Sequence, residues 1–177
     1  MNIFKVRLEK LLIKIKRLEV DGFYITNMTN IRYLTGFTGS AASLLIINQS
    51  AHFFSDGRYT VQSKEQVKNC HINITQQSHL LSIKDKKLFP LKKINIAFEA
   101  DHVSFSLYSQ MEDMYSSINW VGTHNLIEEI ASVKDQEELE SLIKAINITD
   151  EVFDAILPEI KEGVTENYIS AKISYLF

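Results

Sequence analysis

Hydrophobic and polar positions along this chain switch repeatedly between two periods. Ile3, Val6, Leu11, Ile15 and Leu18, joined by Leu8 and Leu12, recur at helical spacing with Lys and Arg on the other face, which predicts an amphipathic helix. Asp21-Gly22 ends it, and residues 23–26 read as a strand. Asn30 to Leu34 is a helical turn with Ile31 and Leu34 on one side, stopped by Gly36 in the left-handed conformation. The apolar run 43–47, the turn Asn48-Gln49-Ser50 and the returning strand 51–55 predict a β-hairpin. Asp56-Gly57 closes the hairpin and hands over to a helix over 58–67.

The alternation continues with a strand at 71–75, a short helix around Leu80, Leu81 and Ile83 before Pro90, and a strand at 94–99. Ser104 caps a helix through Tyr115, with Phe105, Tyr108 and Met111 or Met114 on its inner side, and 118–121 is a last strand. Alternating strands and helices over 1–121 predict an α/β fold, a mixed β-sheet flanked by helices on both faces. From Asn125 the pattern is helical only. Asn125 caps a turn through Ile130, and Asp135 caps a long helix from Gln136 to about Lys161. Leu139, Leu142, Ile143, Ile146, Val152, Phe153, Ile156 and Leu157 give that helix an apolar stripe. Pro158 bends it late, Gly163 stops it and Thr165 starts another, so a C-terminal α-helical extension follows the sheet.

Charge sharpens that division. Residues 1–127 hold 15 Lys/Arg against 10 Asp/Glu, a balance of +5, and residues 128–177 hold 4 against 12, a balance of −8. The step marks a domain boundary near Gly122 to Lys134. The net charge of −3 gives no general attraction to nucleic acid or to an anionic membrane. No apolar run approaches the roughly 20 residues of a membrane span. The basic first helix is followed at once by a strand, as in a packed α/β unit, rather than lying on a membrane. A single cysteine, Cys70, excludes an internal disulfide and a cysteine-based zinc cage. A cytoplasmic protein is the expectation.

Five groups of residues could carry chemistry. Gly36-Phe37-Thr38-Gly39 has the GxxG spacing of a nucleic-acid clamp, but it holds no Lys or Arg and leads into a strand, so its glycines serve a tight turn. Glu99, Asp101 and His102 could bind a metal or cap the next helix, and capping is the better reading because no partner motif converges on them. Asp150, Glu151 and Asp154 read as a solvated helix face, and Cys70 beside His71 as structural. In Asp56-Gly57-Arg58-Tyr59, Asp56 can cap the following helix. Arg58 then stands in the first turn, where the dipole disfavours a cation, which points to a carboxylate partner, either Asp56 or one outside this domain.

NIRYLTGFTGSAASLLI at 30–46, followed by FFSDGRY at 53–59, resembles the signature of the N-terminal domain shared by creatinase, aminopeptidase P and prolidase. VKDQEELESLIKAINITDEVFDAILPEIKEGVTENYISAKI at 133–173 is similar to the entry into the "pita-bread" catalytic domain of the same metallopeptidases. The resemblance implies a creatinase N-terminal fold with a ribonuclease H-like motif over 1–124, a linker at 125–134 and the start of a truncated catalytic domain at 135–177. It implies a parent reaction, metal-dependent hydrolysis of an N-terminal Xaa-Pro peptide bond. There, two divalent metals, commonly manganese, are held by two Asp, one His and two Glu that lie beyond this sequence. On that expectation this chain is a non-catalytic N-terminal portion with no metal or cofactor of its own, and peptide meets only the full-length parent. Its roles would be substrate gating and subunit contact, with self-association as a homodimer or higher. Asp56, Arg58, Tyr59 and Phe37 are the candidates for touching substrate or a partner subunit. The alternatives are a stand-alone protein-interaction module that uses the helical stripe, or a fragment of a prolidase or creatinase-like hydrolase, since one fold serves several chemistries.

Overall fold

The computed structural model describes residues 2–177. Asn2 starts α1 (Ile3–Arg17) by accepting from the Phe4 N–H at 3.0 Å, and the helix puts Leu8, Leu11 and Ile15 inward. β1 (Gly22–Ile25) follows, then α2 (Met28–Thr35), whose cap is Asn27 and whose stop is Gly36 at φ 84°. β2 (Ala42–Ile47) and β3 (Ser50–Asp56) form the expected hairpin. Its two-residue turn places Asn48 and Gln49 at positive φ, the geometry that matches the twist of paired strands. A 3₁₀ turn, Gly57–Tyr59, leads to α3 (Thr60–Gln66), then β4 (His71–Thr75), α4 (His79–Asp85), β5 (Ile94–Glu99), α5 (Phe105–Met114) and β6 (Ile118–Thr123).

The six strands make one mixed sheet in the order β4-β3-β2-β1-β5-β6, antiparallel on both sides of β2 and parallel elsewhere. Strand period 2 sorts the apolar residues into two cores. Phe23, Ile25, Leu44, Ile46 and Phe53 face α1 and α2 residues on one side. Tyr24, Leu45, Ile47, Phe54, Ile96 and Phe98 meet Leu80 and Ile83 of α4 and Met111 of α5 on the other. Helices on both faces are therefore observed, as the alternation predicts.

Four details differ from the sequence reading. Phe105 does not face inward. It is the first residue of α5 and 84% exposed, while Met111 is fully buried. Residues 125–134, expected as a linker, contain α6 (Glu128–Ser132). Ile127 and Ile130 are buried in the first core, and Lys14 of α1 pairs with Glu129. Asn125 does not cap this turn with its side chain; it takes φ 54°, and its carbonyl accepts from the Glu129 N–H. The long helix α7 (Gln136–Ile156) ends before Pro158 instead of bending through it, because proline has no N–H for the i−4 carbonyl and its ring crowds that carbonyl.

The fold divides into two compact units, Met1–Ser132 and Val133–Phe177. In the second, Asp135 and Glu138 form a reciprocal capping box at the start of α7, with both hydrogen bonds at 3.0 Å. Gly163, at φ 89°, lets the chain turn into α8 (Glu166–Leu176), capped by Thr165. Glu159 ties this unit together, accepting from the Tyr168 hydroxyl at 3.2 Å and facing Lys172 at 3.8 Å. Val152 and Ile156 are buried, but Leu139, Leu142, Ile143, Ile146 and Phe153 remain about half exposed.

Candidate functional site

The carboxyl ends of β1, β3, β4, β5 and β6 lie along one edge of the sheet, together with the loop that enters β2. In open α/β sheets this edge is where ligands gather. It carries two groups of polar side chains.

The first is built by the 36–41 loop, the end of β3 and α3. Asp56, the last residue of β3, accepts from the Arg58 backbone N–H at 3.0 Å and so opens the 3₁₀ turn. Its two carboxylate oxygens also take Arg58 Nε at 2.9 Å and Nη2 at 2.8 Å, a two-point pair. Of the two partners left open by the sequence, then, Arg58 takes Asp56. That hydrogen bonding pushes the Asp56 carboxyl down to about 2 and raises the Arg58 guanidinium in turn. Arg58 is 69% exposed along its side chain, so the rest of its N–H fork faces solvent and can donate to an anionic group.

Tyr59 follows with its hydroxyl 2.7 Å from Ser40 Oγ and accepting from the Ser40 N–H at 3.3 Å. These bonds hold the phenol below its usual value. Thr38 gives its N–H to Gln66 Oε1 at 2.9 Å, and Gln62 Nε2 donates to Thr38 Oγ1 at 3.0 Å, fastening the loop to α3. A Cβ on Gly39 would lie 2.3 Å from Phe37 Cζ and 2.8 Å from Tyr59 Cε1, so only glycine lets the loop lie on these rings. The two glycines of the GxxG spacing are thus structural.

Phe37 is not available for contact with substrate or a partner. It is fully buried, edge-on to Phe53 at 4.8 Å and to Tyr59 at 5.3 Å, because an aromatic side chain at this loop position completes the first core. It supports Tyr59 from below. Asp56, Arg58 and Tyr59 stand together at the surface. Ser40, Gln62, Gln66 and His79 belong with them and were missed from the sequence. The spacing of Gln62 and Gln66, one helical turn apart, was the available signal. His79 is lowered by burial, partly offset by the negative charge of Asp56.

The second group is the Glu99 cluster. Glu99 is buried and fully used. One oxygen accepts from the Thr26 and Asn27 N–H groups at 2.7 and 2.8 Å, and the other from Asn30 Nδ2 at 2.7 Å. It clamps the start of α2 onto β5. Asn30 Nδ2 also reaches Glu128 of α6 at 2.7 Å. Asp101 pairs with His124 Nδ1 at 2.7 Å, and His102 is exposed. A cavity of about 80 Å³ lies beside them. Among the described residues, no group of three or more His, Cys, Asp or Glu could hold a metal ion, so the side chains present do not fit one. Burial pushes the Cys70 thiol up to about 12, which disfavours the thiolate that a nucleophile needs. His71, its neighbour, stacks on His52 of the adjacent strand at 5.0 Å. Asp150, Glu151 and Asp154 are exposed on α7.

A model of the Creatinase/Prolidase N-terminal domain matches residues 7–133. The chain belongs to this family. It is 33% identical over 171 residues to the uncharacterized peptidase YqhT of Bacillus subtilis, covering 96% of this chain and 48% of that protein. It is 25% identical to the Xaa-Pro dipeptidase of Pyrococcus furiosus, covering 97% and 48%. The Xaa-Pro dipeptidase from Bacillus anthracis superposes with a TM-score of 0.87 at 28% identity, over 98% of this chain and 48% of that one. The chain therefore spans about half the length of the relatives it matches. Two of these relatives are Xaa-Pro dipeptidases and the third is an uncharacterized peptidase, and the prolidase family that gives the domain its name is one of metallopeptidases. Among the described residues, no helix is long and apolar enough to cross a membrane.

Proposed function

We propose that this chain is the N-terminal, non-catalytic portion of an Xaa-Pro aminopeptidase-like metallopeptidase, with its second unit the start of the catalytic domain. The observation that carries this is the family match over 7–133 continuing, in the Bacillus anthracis structure, through nearly the whole chain into α7 and α8. Its role is to gate peptide access and to meet a neighbouring subunit through Asp56, Arg58 and Tyr59. The outward N–H groups of Arg58 favour that role, since they suit a peptide carboxylate or an acidic side chain. The bound metals, commonly manganese, belong to the parent and not to residues of this chain. The cytoplasm is the proposed compartment, in keeping with a lone, half-buried Cys70.

An Xaa-Pro peptide incubated with this chain, with and without manganese, should give no hydrolysis. Metal-stimulated turnover that follows the polypeptide through purification overturns the reading. A second expectation is self-association through the exposed stripe of α7 and α8. Apolar surface left in water costs about 25 cal/mol per Å², and a contiguous patch is an association site. Light scattering should show an assembly that Leu142→Glu with Ile146→Glu returns to monomer. If the unaltered chain is already monomeric at the same concentration, the association reading fails.

A further inference from the structure

At the opposite end of the sheet from Arg58, a cleft of about 700 Å³ opens between the α4–β5 connection and the end of α5. Its floor is apolar, made by Ile83, Phe89, Met114 and Tyr115, and its rim carries Lys84 and Lys87. Lys86, Lys92 and Lys93 stand in the same ten-residue stretch, giving five exposed lysines, and none of them forms an ion pair among the described residues. The one acid within that stretch, Asp85, is engaged by Gln77 Nε2 at 2.6 Å. Leu91 projects fully into solvent beside them. The Tyr115 hydroxyl already donates to the Leu80 carbonyl at 2.5 Å, so the floor offers no spare donor there. Ser116 and Ser117 complete the mouth.

We infer that this cleft binds a single-chain amphiphilic anion, of the class of a medium-chain carboxylate, its tail on the apolar floor and its head among the lysines. The volume lies in the range of small-ligand sites, about 300–1,000 Å³. A concave floor suits one chain rather than a flat bilayer. The unpaired cations at the rim select charge: an ammonium head would meet like charge, and a neutral head would gain nothing from Lys84 or Lys87. Nothing in the family reading uses this end of the sheet, so the inference stands apart from that of Arg58.

The molecule carries its own reporter. Trp120 is the only tryptophan, and its ring lies 6.0 Å from Phe89 and 6.2 Å from Tyr115, both on the floor. Titrating the full chain with monomeric dodecanoate should shift Trp120 emission saturably, and raising salt should weaken binding. Lys84→Glu with Lys87→Glu should weaken it at least tenfold, while Lys10→Glu, on exposed α1 surface, leaves it unchanged. Dodecyltrimethylammonium should give no saturable change. Equal binding of both surfactants, or no loss in the double variant, reduces the effect to unspecific apolar partition and overturns the inference. So does a flat dodecanoate titration. A Glu-rich peptide bearing one leucine that saturates in its place, with the same lysine dependence, would make this a protein-docking surface instead.

Discussion

Glu99 and Asp56 are each the last residue of a strand, on the same edge of one sheet, and they have opposite fates. Glu99 is buried and takes two backbone N–H groups and an amide. Asp56 sits at the surface with Arg58, two residues away, as its main partner. A buried carboxylate whose oxygens are all engaged belongs to the fold, because removing it leaves donors in a dry environment. An exposed pair that satisfies itself locally adds little to stability and remains free to exchange one partner for another. The difference lies in what surrounds the strand end. β5 ends against the first turn of α2, whereas β3 ends against solvent.

The sharpest way to break the comparison is to take away what stands behind Glu99. A chain ending at His124 loses α6, and with it Glu128, Ile127 and Ile130. Burying two such side chains contributes about 3–6 kcal/mol. A chain ending at Ser132 should therefore unfold cooperatively in urea, and one ending at His124 should show no native baseline or a much lower midpoint. Equal midpoints would mean that α6 is a passenger and that residues 125–134 are a linker after all. Next in size is Glu99→Ala, which strips the acceptor from three donors and should cost about 3 kcal/mol, read as a shift in urea midpoint at constant slope. Glu99→Gln, which keeps one acceptor oxygen, should lose less.

The residues themselves explain why one carboxylate was harder to read than the other. The strands themselves, the hairpin turn and the caps at Ser104, Asp135 and Thr165 follow from local rules of period and hydrogen bonding, and these were legible. From its neighbours alone Glu99 reads as a cap candidate within a cluster with Asp101 and His102. Its actual partners, Thr26, Asn27 and Asn30, lie about seventy residues away and are brought near only by the parallel pairing of β1 with β5. Ile127 and Ile130 looked like linker residues because five helical residues give too short a pattern to show a face. Phe37 is a contact candidate by resemblance alone, and only the hairpin strand behind it, with Phe53, reveals the pocket it fills. The Asp56–Arg58 pair needed less information. Capping preference and dipole sign, acting over three residues, narrow the partner of Arg58 to Asp56 or a carboxylate outside the domain, and the fold selects Asp56.

The smallest expected effect tests the exposed side of the comparison directly. Hydrogen bonding to Arg58 depresses the Asp56 carboxyl from 3.8 to about 2. A carboxyl lowered in the folded state adds stability that is fully present above the unfolded value and is lost as pH falls through the folded one, so the window runs from about pH 4 down to 2. At neutral pH, Arg58→Ala should leave the urea midpoint nearly unchanged, because the pair is open to solvent and screened. What should move is the titration. Followed by the carboxyl carbon shift of Asp56, the midpoint lies near 2 in the unaltered chain and returns toward 3.8 in Arg58→Ala. Asp56→Asn keeps a good helix cap and should hold the turn while freeing the Arg58 fork. If Asp56 still titrates near 2 without Arg58, the backbone turn sets its acidity. Arg58 would then never have been bound to it, and the two strand ends would differ in burial alone.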